Sequence, residues 1–477
     1  MSTEPTASTT PKTAASWRDL FAAPSRAAVI VLASGIALYG TNVYLTASLL
    51  PSAVADIGGQ ELYAWVSTAF LLPSVVASLF VGRALAGWGA RRAYLVAFLG
   101  FATGLVLSMI APNMPMFLAG RFVQGCAGGL LTGLAYAVMR VALAPRLWTR
   151  AIALLSAMWG VGNFVGPMLG GLFAEFGIWR GAFAPLAIGA LVAAGLALRT
   201  LPRTASAEQL ERMPIVSLTL LTGVTAALSL TVVFTEQRQV LALLGVAAAL
   251  AVAFVLVERS GSRTLLPHSV YRGGSPLRWI YIVIAALSAA STVEAFVPLF
   301  GQELAGMSPF VAGFLGAMIS WGWTFGGILT SGAVSDGRVA TLRVGGPMLL
   351  AVGLAGYALV QPADAGLGTV ALWFAALFVA GVGIGSSFGH TAAAALRSTD
   401  DPVESQKASA GVNTVQLLAN TVGSALAGLL VNLGGPTIPG SARSLTLFFA
   451  AFAAVGAVAA WLAVRQTMPG TRRETAR

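Results

Sequence analysis

Charge is scarce in this chain. Asp, Glu, Lys and Arg make up only 9% of its 477 residues, against 57% hydrophobic residues. A water-soluble protein of this size carries roughly 25% charged residues, so the composition excludes an ordinary solvated surface and calls for a lipid bilayer around it. Cysteine is scarcer still. The single Cys126 lies in an apolar segment, which excludes an intrachain disulfide and a thiolate metal cluster. No nucleotide-binding phosphate loop, metal-ligand cluster or nucleophile elbow occurs. The chain therefore does not read as an enzyme, calls for no cofactor or metal, and leaves an ion gradient as its energy source. Acids are the minority among the charges, 17 against 28 Lys and Arg, for a net charge of +11. That excess does not mark a nucleic-acid binder, because the arginines fall in short loops and form no contiguous basic face. No cleavable signal peptide is visible, and residues 1–26 read as a polar, disordered cytoplasmic tail.

What the chain has in abundance is long apolar runs of about the 20 residues that a bilayer crossing needs. Fourteen are read, over 27–50, 62–82, 93–112, 115–138, 150–174, 181–200, 214–234, 240–257, 279–300, 310–331, 344–361, 367–394, 408–432 and 443–464. Lys and Arg then decide the orientation. With both termini in the cytoplasm, only Arg180, Arg238 and Arg443 fall outside and Arg121 within a span. The expected location is a bacterial cytoplasmic (inner) membrane, crossed many times.

Two similar halves are visible. The segment after span two, Gly82-Arg83-Ala84-Leu85-Ala86-Gly87-Trp88-Gly89-Ala90-Arg91-Arg92, has a counterpart after span ten, Gly332-Ala333-Val334-Ser335-Asp336-Gly337-Arg338. Both are read as cytoplasmic loops, the mark of a parallel repeat of two six-helix bundles. The expected organisation is a bundle over 27–200, a linker over 201–278 carrying an extra transmembrane hairpin at about 214–257, a second bundle over 279–465, and a cytoplasmic tail over 466–477.

Span five contains Trp159-Gly160-Val161-Gly162-Asn163-Phe164-Val165-Gly166-Pro167-Met168-Leu169-Gly170-Gly171. Gly162, Gly166 and Gly170 share one helix face, a ridge on which two backbones can touch in lipid. Pro167 beside the ridge removes a backbone donor and bends the helix. Generic packing needs neither that Pro nor the Gly170-Gly171 pair. This run resembles the antiporter motif of the major facilitator superfamily, and Arg121-Phe122-Val123-Gln124-Gly125 resembles its fourth-span motif. Glu258-Arg259 followed by Leu265-Leu266-Pro267, and Gly411-Val412-Asn413-Thr414, resemble segments of its fourteen-span drug:proton antiporters. The resemblance covers roughly 27–465 and implies an all-α major facilitator fold of fourteen transmembrane helices, working as a monomer by alternating access. It also implies a cytoplasmic gate at Gly82, Gly89, Arg91, Asp336 and Arg338. Two departures stand out: Ala86 or Gly87 replaces the gate acid of the first half, and Asn42 stands where span one commonly carries Asp.

Ionisable groups inside a membrane are expensive and usually functional. Glu294 reads as the one carboxylate well inside a span, and Arg121 lies at similar depth in span four. A carboxylate raised in pKa by desolvation and lowered by a nearby cation is poised to load and release a proton, so these two are the proton-coupling candidates; Arg121 reads equally well as a structural group bonded to backbone carbonyls of a neighbouring helix. Asn42, Gln124, Trp321, Asn413, Gln416 and Asn420 are the expected substrate-cavity residues. Interhelical hydrogen bonding explains the stripe Asn413, Gln416, Asn420 equally well. Trp321 and Trp323 point to nearly opposite faces, so at most one lines a cavity and the other is expected to meet lipid. His390 reads as a packed residue rather than a relay.

The expected function is proton-coupled export of lipophilic neutral or monocationic compounds. A dedicated exporter of one metabolite, siderophore or lipid is the alternative, and a non-transporting membrane receptor a remote third.

Overall fold

The computed structural model describes residues 17–22, 25–144, 147–201, 214–231, 234, 236–260, 264–271, 274–333, 335–362, 364–398, 402–435 and 437–467. Most of the two expected tails and linker residues 202–213 lie outside them. Among the described residues the chain is helical throughout: α1 (Ser25–Ile57), α2 (Tyr63–Ser78), α3 (Val81–Met109), α4 (Met114–Ala142), α5 (Trp148–Glu175), α6 (Phe183–Thr200), α7 (Ile215–Leu230), α8 (Gln237–Ser260), α9 (Leu277–Ser291), α10 (Val297–Ala305), α11 (Pro309–Thr330), α12 (Asp336–Leu359), α13 (Leu367–Leu396), α14 (Pro402–Leu433) and α15 (Ile438–Thr467). Within the expected disordered tail, Trp17–Leu20 forms a helical turn and buries Leu20 completely.

Twelve helices among the described residues are long and apolar enough to cross a membrane. Beside them stand α5, 28 residues long, and α7, which is apolar but only 16 residues long. At 1.5 Å per residue α7 reaches about 24 Å, short of a hydrocarbon core of about 30 Å. Large apolar side chains face outward, among them Val192 at 67% and Ile328 at 71% exposure. Water would not tolerate so many, and lipid accepts them. The chain is a multi-pass membrane protein.

Helices α1–α6 pack mainly on one another, and so do α9–α15. The two groups meet where α11 crosses α5 and α1, and where α14 lies against α2. Small residues set the close approaches. A Cβ at Gly162 would stand 2.6 Å from Gly40 C, and one at Gly166 would stand 2.6 Å from Tyr44 Cβ and 2.8 Å from Thr41 O; one at Gly170 would overlap Leu45 O. The ridge of span five therefore clasps α1 of its own group. Gly171 is the member that faces the other group, where its Cβ would stand 2.7 Å from Phe310 Cα.

Helices α7 and α8 form a hairpin against the seam of α2 and α14. Val75, Leu221 and Leu418 make one shared apolar cluster, and Val224, Ala227, Leu228, Ala247 and Ala425 another. Trp65 Nε1 donates to Ser229 O at 2.9 Å.

Two segments differ from expectation. The loop expected over 82–92 is mostly helical: α3 starts at Val81 and is broken at Gly89, whose φ of 71° and ψ of 164° suit glycine alone. Span nine tightens into a 3-10 turn at Thr292–Ala295 between α9 and α10. Pro298 explains this, because a proline has no N–H for the carbonyl four residues earlier and its ring crowds that carbonyl. That carbonyl belongs to Glu294.

Candidate functional site

The 3-10 turn at Thr292–Ala295 lies where the two helix groups touch. Ser320 Oγ on α11 donates to Glu294 Oε2 at 2.8 Å, and Tyr44 Oη on α1 lies 2.8 Å from the same Ser320 oxygen. Tyr63 Oη on α2 donates to Ala295 O at 3.4 Å, and its ring packs on Phe296 at 5.0 Å between centroids. Among the described residues no Lys, Arg or His comes within 4.0 Å of the Glu294 carboxylate, whereas Arg180 pairs with Asp56. Glu294 is thus a half-buried acid in a 3-10 turn between two helices, held by the Ser320 hydroxyl and free of an ion pair.

Arg121 belongs to a different network. It is 2% exposed; its Nε donates to Val66 O at 3.2 Å, and its Nη1 donates to Thr46 Oγ1 at 3.1 Å and to Gln124 Oε1 at 2.7 Å. The guanidinium also sits 4.2 Å from the centre of the Phe70 ring. Gln124 Nε2 in turn donates to Gly104 O at 2.9 Å and Ser108 Oγ at 2.8 Å, and Asn42 Nδ2 donates to Gln124 Oε1 at 3.1 Å. These groups lie on α1–α4. Oriented dipoles and a ring face, rather than a carboxylate, balance the buried cation. The structure does not bring Arg121 to Glu294, although sequence depth suggested their proximity.

The other expected cavity residues divide. Trp321 Nε1 donates to Asn163 O at 3.2 Å, and its ring meets Phe164 at 5.9 Å and Phe314 at 5.5 Å, an aromatic patch across the α5–α11 seam. Trp323 does not simply face lipid: it is half-buried against Phe388 of α13, at 5.2 Å. On α14, Asn413 is exposed, Gln416 is half-buried and the buried Asn420 Oδ1 has no hydrogen-bond partner. His390 Nε2 lies 3.1 Å from Thr330 O, a packed position.

At the opposite end from Asp56 and Arg180, Gly82 has open space at its Cβ position, Gly160 likewise, and Arg91 is half-buried. Asp336 is the first residue of α12, where a helix N-terminus favours a carboxylate. It makes no ion pair with Arg338.

Sequence reasoning missed Tyr44, Ser320 and Glu258. The i−4 relation of Glu294 to Pro298 was legible; the hydroxyl partners, 276 residues apart, were not. Glu258 was read only as part of a family segment, yet it is fully buried at the end of α8. Its Oε1 accepts from Ser217 Oγ at 2.5 Å and Leu265 N at 2.9 Å, and its Oε2 from Leu266 N at 3.0 Å. Burial, with Glu258 beside it, pushes the Tyr271 hydroxyl above the ordinary phenol range. The carboxylate ties the hairpin to the segment entering α9. Glu258→Ala leaves these donors without their acceptor, at about 1–3 kcal/mol for each that stays dry. The expected outcome is a lower melting temperature in detergent, and a parent-like melt would show that water takes over the donors.

The comparisons with known proteins agree with this architecture. The model of the Major Facilitator Superfamily matches residues 32–402. A protein named a probable multidrug-efflux transporter, from Mycobacterium tuberculosis (strain ATCC 25618 / H37Rv), is 40% identical, the match covering 94% of this chain and 97% of that protein. A multidrug resistance protein B homolog of the same organism is 28% identical, over 85% of this chain and 75% of its own length. Among solved structures, a POT family transporter in complex with 5-aminolevulinic acid superposes with a TM-score of 0.67 at 15% identity, covering 92% of this chain and 97% of that one. With the fold, the family model and a near full-length relative all in agreement, this transport protein, which is not an enzyme, belongs to the major facilitator superfamily.

Proposed function

We propose that the chain exports lipophilic neutral or monocationic compounds by alternating access, driven by proton antiport in which Glu294 carries the proton. The observation that carries this reading is the placement of Glu294: a carboxylate in a 3-10 turn at the seam of the two helix groups, hydrogen-bonded to Ser320 and with no ion-pair partner. A permanently paired acid would resist protonation. The aromatic patch of Phe164, Phe314 and Trp321 offers apolar, polarisable contacts suited to a lipophilic guest. That relatives are named a probable multidrug-efflux transporter and a multidrug resistance protein B homolog supports efflux.

The same reading takes 27–200 and 279–465 as the two rocking bundles, with the α7–α8 hairpin outside their core. It counts α5 and α7 as crossings beside the twelve, for fourteen spans with both termini in the cytoplasm of a bacterial inner membrane, in a functional monomer. The arginine distribution supports that orientation. It makes the Asp56–Arg180 end the outer one and the gate residues Gly82, Gly89, Arg91, Asp336 and Arg338 cytoplasmic.

Purified protein in proteoliposomes tests the proposal. Ethidium is expected to move against its own gradient when a pH gradient is imposed, and only slowly without one. Transport indifferent to the pH gradient would remove proton coupling; absence of flux for several unrelated dyes would remove the broad substrate range.

A further inference from the structure

Ser320 has one proton and sits between two oxygens on opposite helix groups. When Glu294 is ionised, its carboxylate can only accept, so Ser320 Oγ must donate to it, as the 2.8 Å contact has it. The Ser320 oxygen then accepts the proton of Tyr44, also at 2.8 Å. The chain Tyr44 to Ser320 to Glu294 is thus oriented and ends on a charge. Hydrogen bonds to a charged acceptor are roughly twice as strong as neutral ones and polarise their neighbours. When Glu294 is protonated that polarisation is gone, and the Tyr44–Ser320 bond between the groups loses its cooperative strengthening, about 10–30% of a bond. Ser320 is 3% exposed, so water is poorly placed to replace it. Tyr44 is held by the glycine ridge, since Gly166 leaves room for its Cβ. Of the titratable side chains packed on this turn, α1 brings Tyr44 and α2 brings Tyr63. Among the described residues no cation reaches the carboxylate.

We propose that Tyr44 and Ser320 form a charge-sensed lock: they hold the empty carrier with ionised Glu294 closed at the outer end, and so suppress proton leak. This rests on the reading of Glu294 as the proton carrier. A proton antiporter must let its protonated form swing inward but must keep its empty, deprotonated form from swinging back alone. Otherwise each cycle admits a proton and exports nothing. A cross-group bond that is strengthened when Glu294 is ionised favours that rule. A guest bound at the aromatic patch, by moving α11 away from α5 and with it from α1, would release it. Tyr44 and Ser320 are positioning residues here, since neither carries the proton.

The test measures proton entry into proteoliposomes loaded with a pH-sensitive dye, under an imposed pH gradient and without substrate. Tyr44→Phe keeps the ring and removes the hydroxyl. Its substrate-independent proton entry is expected to rise severalfold over the parent, with a matching fall in pH-driven ethidium accumulation. Ser320→Ala should do the same, and the two together no more than either alone. A merely structural role would lower transport without raising proton leak. Adding Glu294→Gln to Tyr44→Phe is expected to return the leak to background. Parent-like proton entry in both single variants would overturn the lock, while leaving Glu294 standing if Glu294→Gln alone still fails to pump. A leak that persists in the Tyr44→Phe, Glu294→Gln variant would overturn both, because the proton would then travel elsewhere.

Discussion

Glu294→Gln is expected to abolish pH-driven accumulation of ethidium, reducing it to the level of liposomes without protein. Gln matches Glu in size and can still accept from Ser320 Oγ, so the packing of the Thr292–Ala295 turn is preserved. What is lost is the ability to exist in two charge states. Antiport requires that alternation: a proton arriving from outside neutralises the acid and favours release of the guest, and its loss inside restores the charge. Glu175, also at the seam of the two groups, is exposed at the end of α5 and accepts from Phe310 N at 3.3 Å. Asp56 pairs with Arg180, and Glu258 is saturated by Ser217, Leu265 and Leu266. Downhill exchange of dye needs no proton and should suffer less than uphill transport. The measurement is dye flux with and without an imposed pH gradient, on matched amounts of reconstituted protein. If the variant pumps uphill as well as the parent, Glu294 is not the carrier, and Arg121 or His390 must be examined instead.

Gly166→Leu is expected to eliminate transport almost as completely, by a different route. Even the first carbon of the new side chain would stand 2.6 Å from Tyr44 Cβ and 2.9 Å from Leu45 N. No rotamer relieves a clash at Cβ, so α1 must move away from α5. Overpacking of this kind costs about 1–3 kcal/mol, and occasionally more. Displacing α1 also carries off Asn42, Tyr44 and Thr46, which hold the Arg121 network and the Ser320 contact. The protein should still insert, because insertion follows the hydrophobicity of each span. Membrane-fraction abundance separates the two effects: an abundant but silent variant supports the close contact as a requirement of function. Normal transport by that variant would show the contact to be dispensable. Gly160→Leu makes a useful contrast, since nothing lies within 4 Å of its Cβ position.

Much of the fold was legible in the chain. A deficit of charge demanded lipid, apolar runs of bilayer length marked the helices, and four-residue glycine spacing marked a face of close contact. These signals are local, set by each residue's preference for lipid or water and by the helix period. The 3-10 turn in span nine was equally local, through Pro298, and went unread. Glu258 escaped for a different reason. At the end of an apolar run it reads as a solvated terminus, and only the fold brings the N–H groups of Leu265 and Leu266 and the hydroxyl of Ser217 around it.

The candidate site divides along the same line. Glu294 and Arg121 were recognisable by themselves, since a charge in an apolar run is costly wherever it lies. Their separation into two networks was not. Depth along a span says how far a residue lies from the membrane surface, but not toward which neighbour its helix is turned. The sequence by itself determined that this chain spans a membrane, carries a small-residue ridge and buries very few ionisable groups. The tertiary structure alone decided that the ridge grips α1, that Arg121 is balanced by dipoles and a ring, and that Tyr44 meets Ser320 beside Glu294. Those contacts depend on the rotation and tilt of helices far apart in the chain, which are fixed by how whole helix surfaces fit together and not by any local pattern.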